Sequence, residues 1–190
     1  MPYFTRDELL QQGFLDKNLG ENVSIARTTR IVNPANLKIG DRSRIDDFCL
    51  IICTGGVSIG SNCRISAFAY INGASGFAMG SFSSLSARCT IYTVQSDLTG
   101  LALVNPTVGE KYEKVISGPV LLSRHVVLGT GVTVLPNVIL GNGTVVGAMS
   151  LVKDSLSPWE IYAGNPIKSI SKRSRQLLKV EKEYLEEIDV

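Results

Sequence analysis

Between residues 119 and 152 a branched aliphatic residue returns at every sixth position: Leu122, Leu128, Val134, Leu140, Val146 and Val152. Glycine often follows it (Gly129, Gly141, Gly147), and Gly or Asn often takes the fourth place (Gly131, Asn137, Gly143). The fifth place is small or β-branched (Val126, Val132, Val138, Thr144, Ser150). A six-residue period predicts a parallel β-helix, with one short strand and one corner per hexad. An α-helix would not tolerate glycine at this density inside apolar runs. The aliphatic residue points inward, and Gly or Asn takes the tight corner because a positive φ is cheap for it.

Upstream the pattern recurs every twenty residues, at Ile39, Ile59 and Met79, at Ile45, Ile65 and Leu85, and at Ile51, Ile71 and Ile91. Each early coil therefore reads as two hexads and an octad. The surplus always falls at the same corner, at Thr54, Gly55 and Gly56 and then at residues 73–76. Between Ile91 and Leu122 that corner grows into a long loop, residues 94–118. A long excursion from a regular scaffold is where function is usually carried.

The ends break the period. Thr5 and Glu8 make a capping box that opens a short helix closed by Gly13. Such a helix would cover the open end of the coil stack. From Lys172 onward, charged residues surround Leu177, Leu178, Val180, Tyr184, Leu185 and Ile188, which predicts a terminal helix. Its basic residues come first (Lys172, Arg173, Arg175, Lys179), an order that opposes the helix macrodipole and suggests an anionic ligand or a partner chain at that end. The expected organisation is all-β: an N-terminal helical cap over residues 1–22, a β-helix over 23–170 carrying the loop 94–118, and a C-terminal helix over 171–190.

Composition narrows the function classes. With 190 residues, 44% of them hydrophobic, the chain can build one core. A net charge of +2 without basic, aromatic-interleaved runs argues against nucleic-acid binding. No apolar stretch reaches the length of a membrane span, and the start lacks the pattern of a signal peptide. Cys49, Cys63 and Cys89 occupy fifth places, so with Cys53 they read as reduced core thiols in a cytoplasmic protein, with no metal site. His125 is the single histidine, too few for a zinc carbonic anhydrase of this architecture. The loop and the irregular outer positions argue against a structural or ice-binding β-helix.

Several segments carry a family likeness: Ile91, Tyr92 and Thr93, the loop after them, residues 117–120, the hexads through Lys153, and the closing Ala163-Gly-Asn-Pro-Ile-Lys168. Together they resemble the hexapeptide-repeat acyltransferases, in particular the sugar O-acetyltransferases of galactoside, maltose and capsule or lipopolysaccharide type. The likeness spans roughly residues 23–173. It implies a left-handed β-helix, a homotrimer with active sites between subunits, and acetyl-CoA as co-substrate. It further implies that Gly129, Thr130, Gly147 and Ala148 meet the pantetheine arm along the coils. Lys153, Lys168 and Arg173 would approach the CoA phosphates, with Asn165 shaping the last turn near the nucleotide; ordinary solvated charge is the plainer reading of the three cations.

The galactoside and maltose enzymes have a catalytic histidine shortly after the Ile-Tyr-Thr strand, where this chain has Val94, Gln95, Ser96 and Asp97. Acyl transfer needs a group that takes a proton from the attacking atom. His125, at an unusual corner position just after the loop, is the first candidate base, and Asp97 is its competitor or its orienting partner. Ser96 and Asn105 are candidate contacts to the acceptor, with turn formation as the plainer role for Asn105. The expected function is transfer of an acetyl group to a sugar hydroxyl. The alternatives are N-acetylation of a nucleotide-linked amino sugar and a CoA-binding β-helix without activity.

Overall fold

In the computed structural model, which describes residues 2–188, the hexads form a left-handed parallel β-helix with three flat faces. Face I stacks five strands from Leu37–Ile39 to Ile139–Leu140. Face II runs from Ser24–Ile25 to Glu160–Ala163, and face III from Arg30–Val32 to Leu151–Val152. Strands of two or three residues are too short to persist alone, and the columns of aliphatic side chains hold them. Ile25, Ile45, Ile65, Leu85, Leu128 and Val146 stack in register on face II. Ile51, Ile71, Ile91, Val134 and Val152 do the same on face III. All are buried, and each contributes about 2 kcal/mol of apolar burial. The fifth-place residues, Cys49, Cys63 and Cys89 included, fill the space beside these columns. Burial pushes the Cys49 and Cys89 thiols up to about 11 and Cys53 to about 12, so they are inert packing groups.

The corners depart from the sequence expectation. Left-handed backbone was expected of Gly and Asn, yet Phe48, Phe68, Phe82, Arg88, His125, Met149 and Trp159 also have φ between 57° and 63°. Each must be held there by its neighbours, because the conformation costs an L-residue about 1 kcal/mol. Between faces I and II the column is Asn62, Phe82, His125, Gly143 and Trp159; between II and III it is Phe48, Phe68, Arg88, Gly131 and Met149. Two glycines lie under large neighbours. A Cβ on Gly143 would sit 2.5 Å from the Trp159 ring, and one on Gly131 2.5 Å from Met149 Sδ.

The helix α1 (Arg6–Gln11) has the capping box of Thr5 and Glu8, and its Leu9 is buried at the first coil. The C-terminal segment differs from the expected helix. Lys168–Lys172 is a strand that turns back antiparallel on Glu160–Ala163, through a turn containing the cis peptide Asn165–Pro166. The helix α2 begins only at Leu177 and ends at Ile188. Lys172, Arg173 and Arg175 thus precede the helix, which removes most of the conflict with its macrodipole. Their charges are engaged elsewhere: Lys172 pairs with Glu160, Arg173 donates to the carbonyls of His125 (2.6 Å) and Gly143 (3.1 Å), and Arg175 lies over the Trp159 ring. Among the described residues no helix is long and apolar enough to cross a membrane, and no cluster of three or more His, Cys, Asp or Glu side chains could hold a metal ion.

Candidate active site

The loop 94–118 leaves the prism at the corner between faces III and I. Its stem is an antiparallel hairpin, Val94–Ser96 against Val115–Ser117. The base is pinned on both sides. Buried Thr93 donates to the Asn72 carbonyl at 2.7 Å, and the Gly118 amide donates to the Thr93 carbonyl at 3.0 Å. One coil further on, Asn137 reaches up to the Ser117 carbonyl (3.0 Å) and fills the space where a Cβ on Gly118 would be. The stem is therefore fixed where it leaves the coil.

Asp97 follows the stem and is 1% exposed, an unusual burial for a carboxylate. Its Oδ1 accepts from the Thr99 amide at 2.9 Å, its Oδ2 lies 2.9 Å from Lys114 Nζ, and its own amide donates to the Lys114 carbonyl. The Thr99 amide first, and the Lys114 ammonium after it, hold the carboxyl down to about 2. Ser96 and Asn105 are brought together by the loop: Ser96 Oγ donates to Glu113 Oε1 (3.0 Å) and receives the Asn105 amide (3.4 Å). Asn105 caps the turn Pro106–Val108 with its own side chain, so it serves the loop's shape.

His125 lies elsewhere. It stands at the corner between faces I and II, whereas Asp97 belongs to the corner between III and I, so within one chain the structure does not pair them. The imidazole is 6% exposed under α2, with Nε2 2.9 Å from Glu181 Oε2 and the ring beside Phe82 and Trp159. Burial lowers its pKa, Glu181 opposes that shift, and Arg124 and Arg173 add to it. Sequence reasoning did not identify this cluster of Phe82, Arg124, Glu181 and Tyr184, because its contacts join residues more than forty positions apart. Nor did it single out Lys114, which reads as one charge among several in the loop.

Most of the positions assigned by resemblance to a CoA arm line one edge. Gly129, Thr130, Gly147 and Ala148 stack on the corner between faces II and III, and the turn with Asn165 and Lys168 follows above them. Coil packing alone already demands two of these glycines. A Cβ on Gly129 would meet the Ala148 amide at 2.6 Å, and one on Gly147 the Ala163 Cβ at 2.9 Å. Lys168 and Asn165 are exposed there, while Lys153 is exposed at the loop's corner and Arg173 is turned under α2.

No protein-family model matches the chain. The chain is 35% identical over 182 residues to dTDP-4-amino-4,6-dideoxy-D-glucose acyltransferase from Escherichia coli, covering 95% of this chain and 94% of that one. Its fold superposes on AntD, an N-acyltransferase from Bacillus cereus in complex with dTDP and 3-hydroxybutyryl-CoA, with a TM-score of 0.94 and 38% identity, over 100% of this chain and 99% of AntD. A maltose O-acetyltransferase from Clostridium difficile shares the fold more distantly, at a TM-score of 0.56 and 20% identity over 90% of this chain and 75% of its own. With the coil stack, the extruded loop and this likeness along nearly the whole length in agreement, the chain belongs to the hexapeptide-repeat sugar acyltransferases.

Proposed function

We propose that the protein transfers an acyl group from acyl-CoA to the amino group of a nucleotide-linked amino sugar of the dTDP-4-amino-4,6-dideoxyglucose class. The observation that carries this reading is the end-to-end likeness to two acyltransferases that act on, or bind with, such nucleotides, together with a buried carboxylate in the loop. The amino-sugar alternative thus takes precedence over the sugar-hydroxyl reading.

The chemistry is a displacement at the thioester. The amine nitrogen attacks the carbonyl carbon, a C–N bond forms, the C–S bond breaks, and the proton lost from nitrogen leaves with the thiol product. A hydroxyl needs a strong base to become a nucleophile, whereas a neutral amine is already one. An imidazole in the loop is therefore dispensable, and the proposed role of Asp97 is to orient the amine rather than to deprotonate an alcohol. His125, covered by α2, is proposed as a structural residue.

The proposed assembly is a homotrimer. In one chain the acceptor loop and the edge with Gly129, Thr130, Gly147, Ala148, Asn165 and Lys168 lie at different corners of the prism. A neighbouring copy closes a cleft between them, with Lys168 and Lys153 as the cations available to CoA phosphates. Apolar surface supports this packing. Phe48 and Phe68 stack at 5.2 Å on that edge while more than half exposed, and the loop exposes Leu98, Leu101 and Leu103.

The test is product analysis with dTDP-4-amino-4,6-dideoxyglucose and dTDP-glucose, each offered with acetyl-CoA and 3-hydroxybutyryl-CoA. Amide product from the amino sugar and none from the hydroxyl sugar is expected. Ester formation without amide would overturn the reading. Asp97→Asn should lower kcat/KM roughly 10- to 100-fold, the loss expected of one charged hydrogen bond to the reacting group.

A further inference from the structure

The Asp97 carboxylate presents a difficulty for an enzyme that uses an amine nucleophile. A buried anion favours the ammonium form of any amine that binds it, raising its pKa by roughly 1–3 units, and an ammonium cannot attack a thioester. The loop contains an internal answer. Lys114 Nζ sits 2.9 Å from Asp97 Oδ2, yet this oxygen accepts no well-aligned hydrogen bond, so it is buried, balanced in charge and still short of a partner. Lys114 itself remains largely exposed, with 57% of its side chain open to solvent, so it can shift without disturbing the core.

The surrounding charges are otherwise occupied. On the same loop Glu113 is bonded to Ser96, and Lys111 lies over the Tyr112 ring. Thr93 and Asn72, from the strands beneath the stem, are neutral and bonded to each other. Lys114 is the cation paired with Asp97 among the described residues.

Resting on the amino-sugar reading, we propose that Lys114 is a positioning residue that neutralises Asp97, so that the acceptor amine is received through a hydrogen bond in its uncharged, nucleophilic form. In the acceptor-free protein the ammonium holds Oδ2 in place and stands in for the amine. When the acceptor enters, Lys114 moves aside but stays near enough to offset the carboxylate charge. Asp97 supplies orientation, and Lys114 prevents that orientation from protonating the nucleophile.

The experiment is the pH profile of amide formation from dTDP-4-amino-4,6-dideoxyglucose for the wild type, Lys114→Met and Lys114→Arg. Without the cation, the pH of half-maximal kcat should move up by about one unit, so that kcat at pH 7 falls about tenfold and recovers near pH 9. KM at pH 7 should stay level or drop, because the ammonium form now binds better. Lys114→Arg should keep the wild-type profile. A Lys114→Met enzyme with an unmoved profile, or with the same loss at every pH, would overturn the role, since a merely structural lysine produces those results. Absence of amide product from the wild type would defeat the amino-sugar reading, and the role with it.

Discussion

Gly143 and Trp159 show how one residue sets what its neighbour can be. Gly143 has φ +69° and lies beneath the Trp159 ring, whose own corner is also left-handed. A Cβ there would combine an unfavourable backbone with a contact at 2.5 Å, so Gly143→Ala should destabilise the fold by about 2 kcal/mol or more, read as a drop in melting temperature. Gly56, also at positive φ but with open space around it, is the control: Gly56→Ala should cost only the backbone part. At this scale the core was legible in the sequence, since a buried column must repeat with its coil. The corners were legible where Gly or Asn occupied them, and at His125 from its place in the hexad. Phe82 and Trp159 adopt the same backbone because stacking holds them, and stacking between coils leaves no local mark.

Among the elements, α2 depends on side chains it meets only in three dimensions. Glu181 binds both Arg124 and His125, Tyr184 donates to Asn62 Oδ1 at 2.9 Å and packs edge-on to Phe82, and Arg173 tethers the approach. Since burial depresses the His125 pKa, the folded state prefers the neutral ring. The unfolded chain binds a proton first as pH falls below about 6.5, so stability present above that value is lost as pH drops toward the lower folded pKa. The melting temperature should therefore decline between pH 7 and 5.5, and His125→Asn, which suits the left-handed corner, should flatten that decline. Asp97 and Glu160, both held down to about 2, lose their contributions only at more acid pH, which keeps the window clean. The same variant should keep amide formation within a few-fold of wild type, and a profound loss would return His125 to the chemistry. Apolar spacing revealed that a helix lies near the end of the chain. It did not reveal that the basic residues ahead of it belong to a strand and a clamp, because that depends on the turn back along Glu160–Ala163.

For the whole molecule, the proposed cleft requires a second copy, so assembly and turnover should fail together. Phe68→Ser removes half of the exposed stack, and one aromatic ring withdrawn from water contributes about 2 kcal/mol at each of three symmetric contacts. Light scattering should find the wild type as a trimer and the variant shifted toward monomer, with activity recovering as protein concentration rises. A wild-type monomer with full turnover would remove the shared cleft. Architecture was the most legible level of all, because three interleaved periods permit few other folds. The proposed acceptor chemistry was the least, because the loop residues on which it is placed have a spacing that follows no repeat.

The loop's point of departure has one more consequence. Val120, Leu121 and Leu122 pair with Phe77, Ala78 and Met79 as though nothing intervened, so the coil registers across the insertion unchanged. Segments of other lengths and sequences can be spliced into that seam at little cost to the scaffold, since closure entropy grows only slowly with length. A designer can therefore attempt to exchange this single cassette while leaving the coil stack beneath it in place.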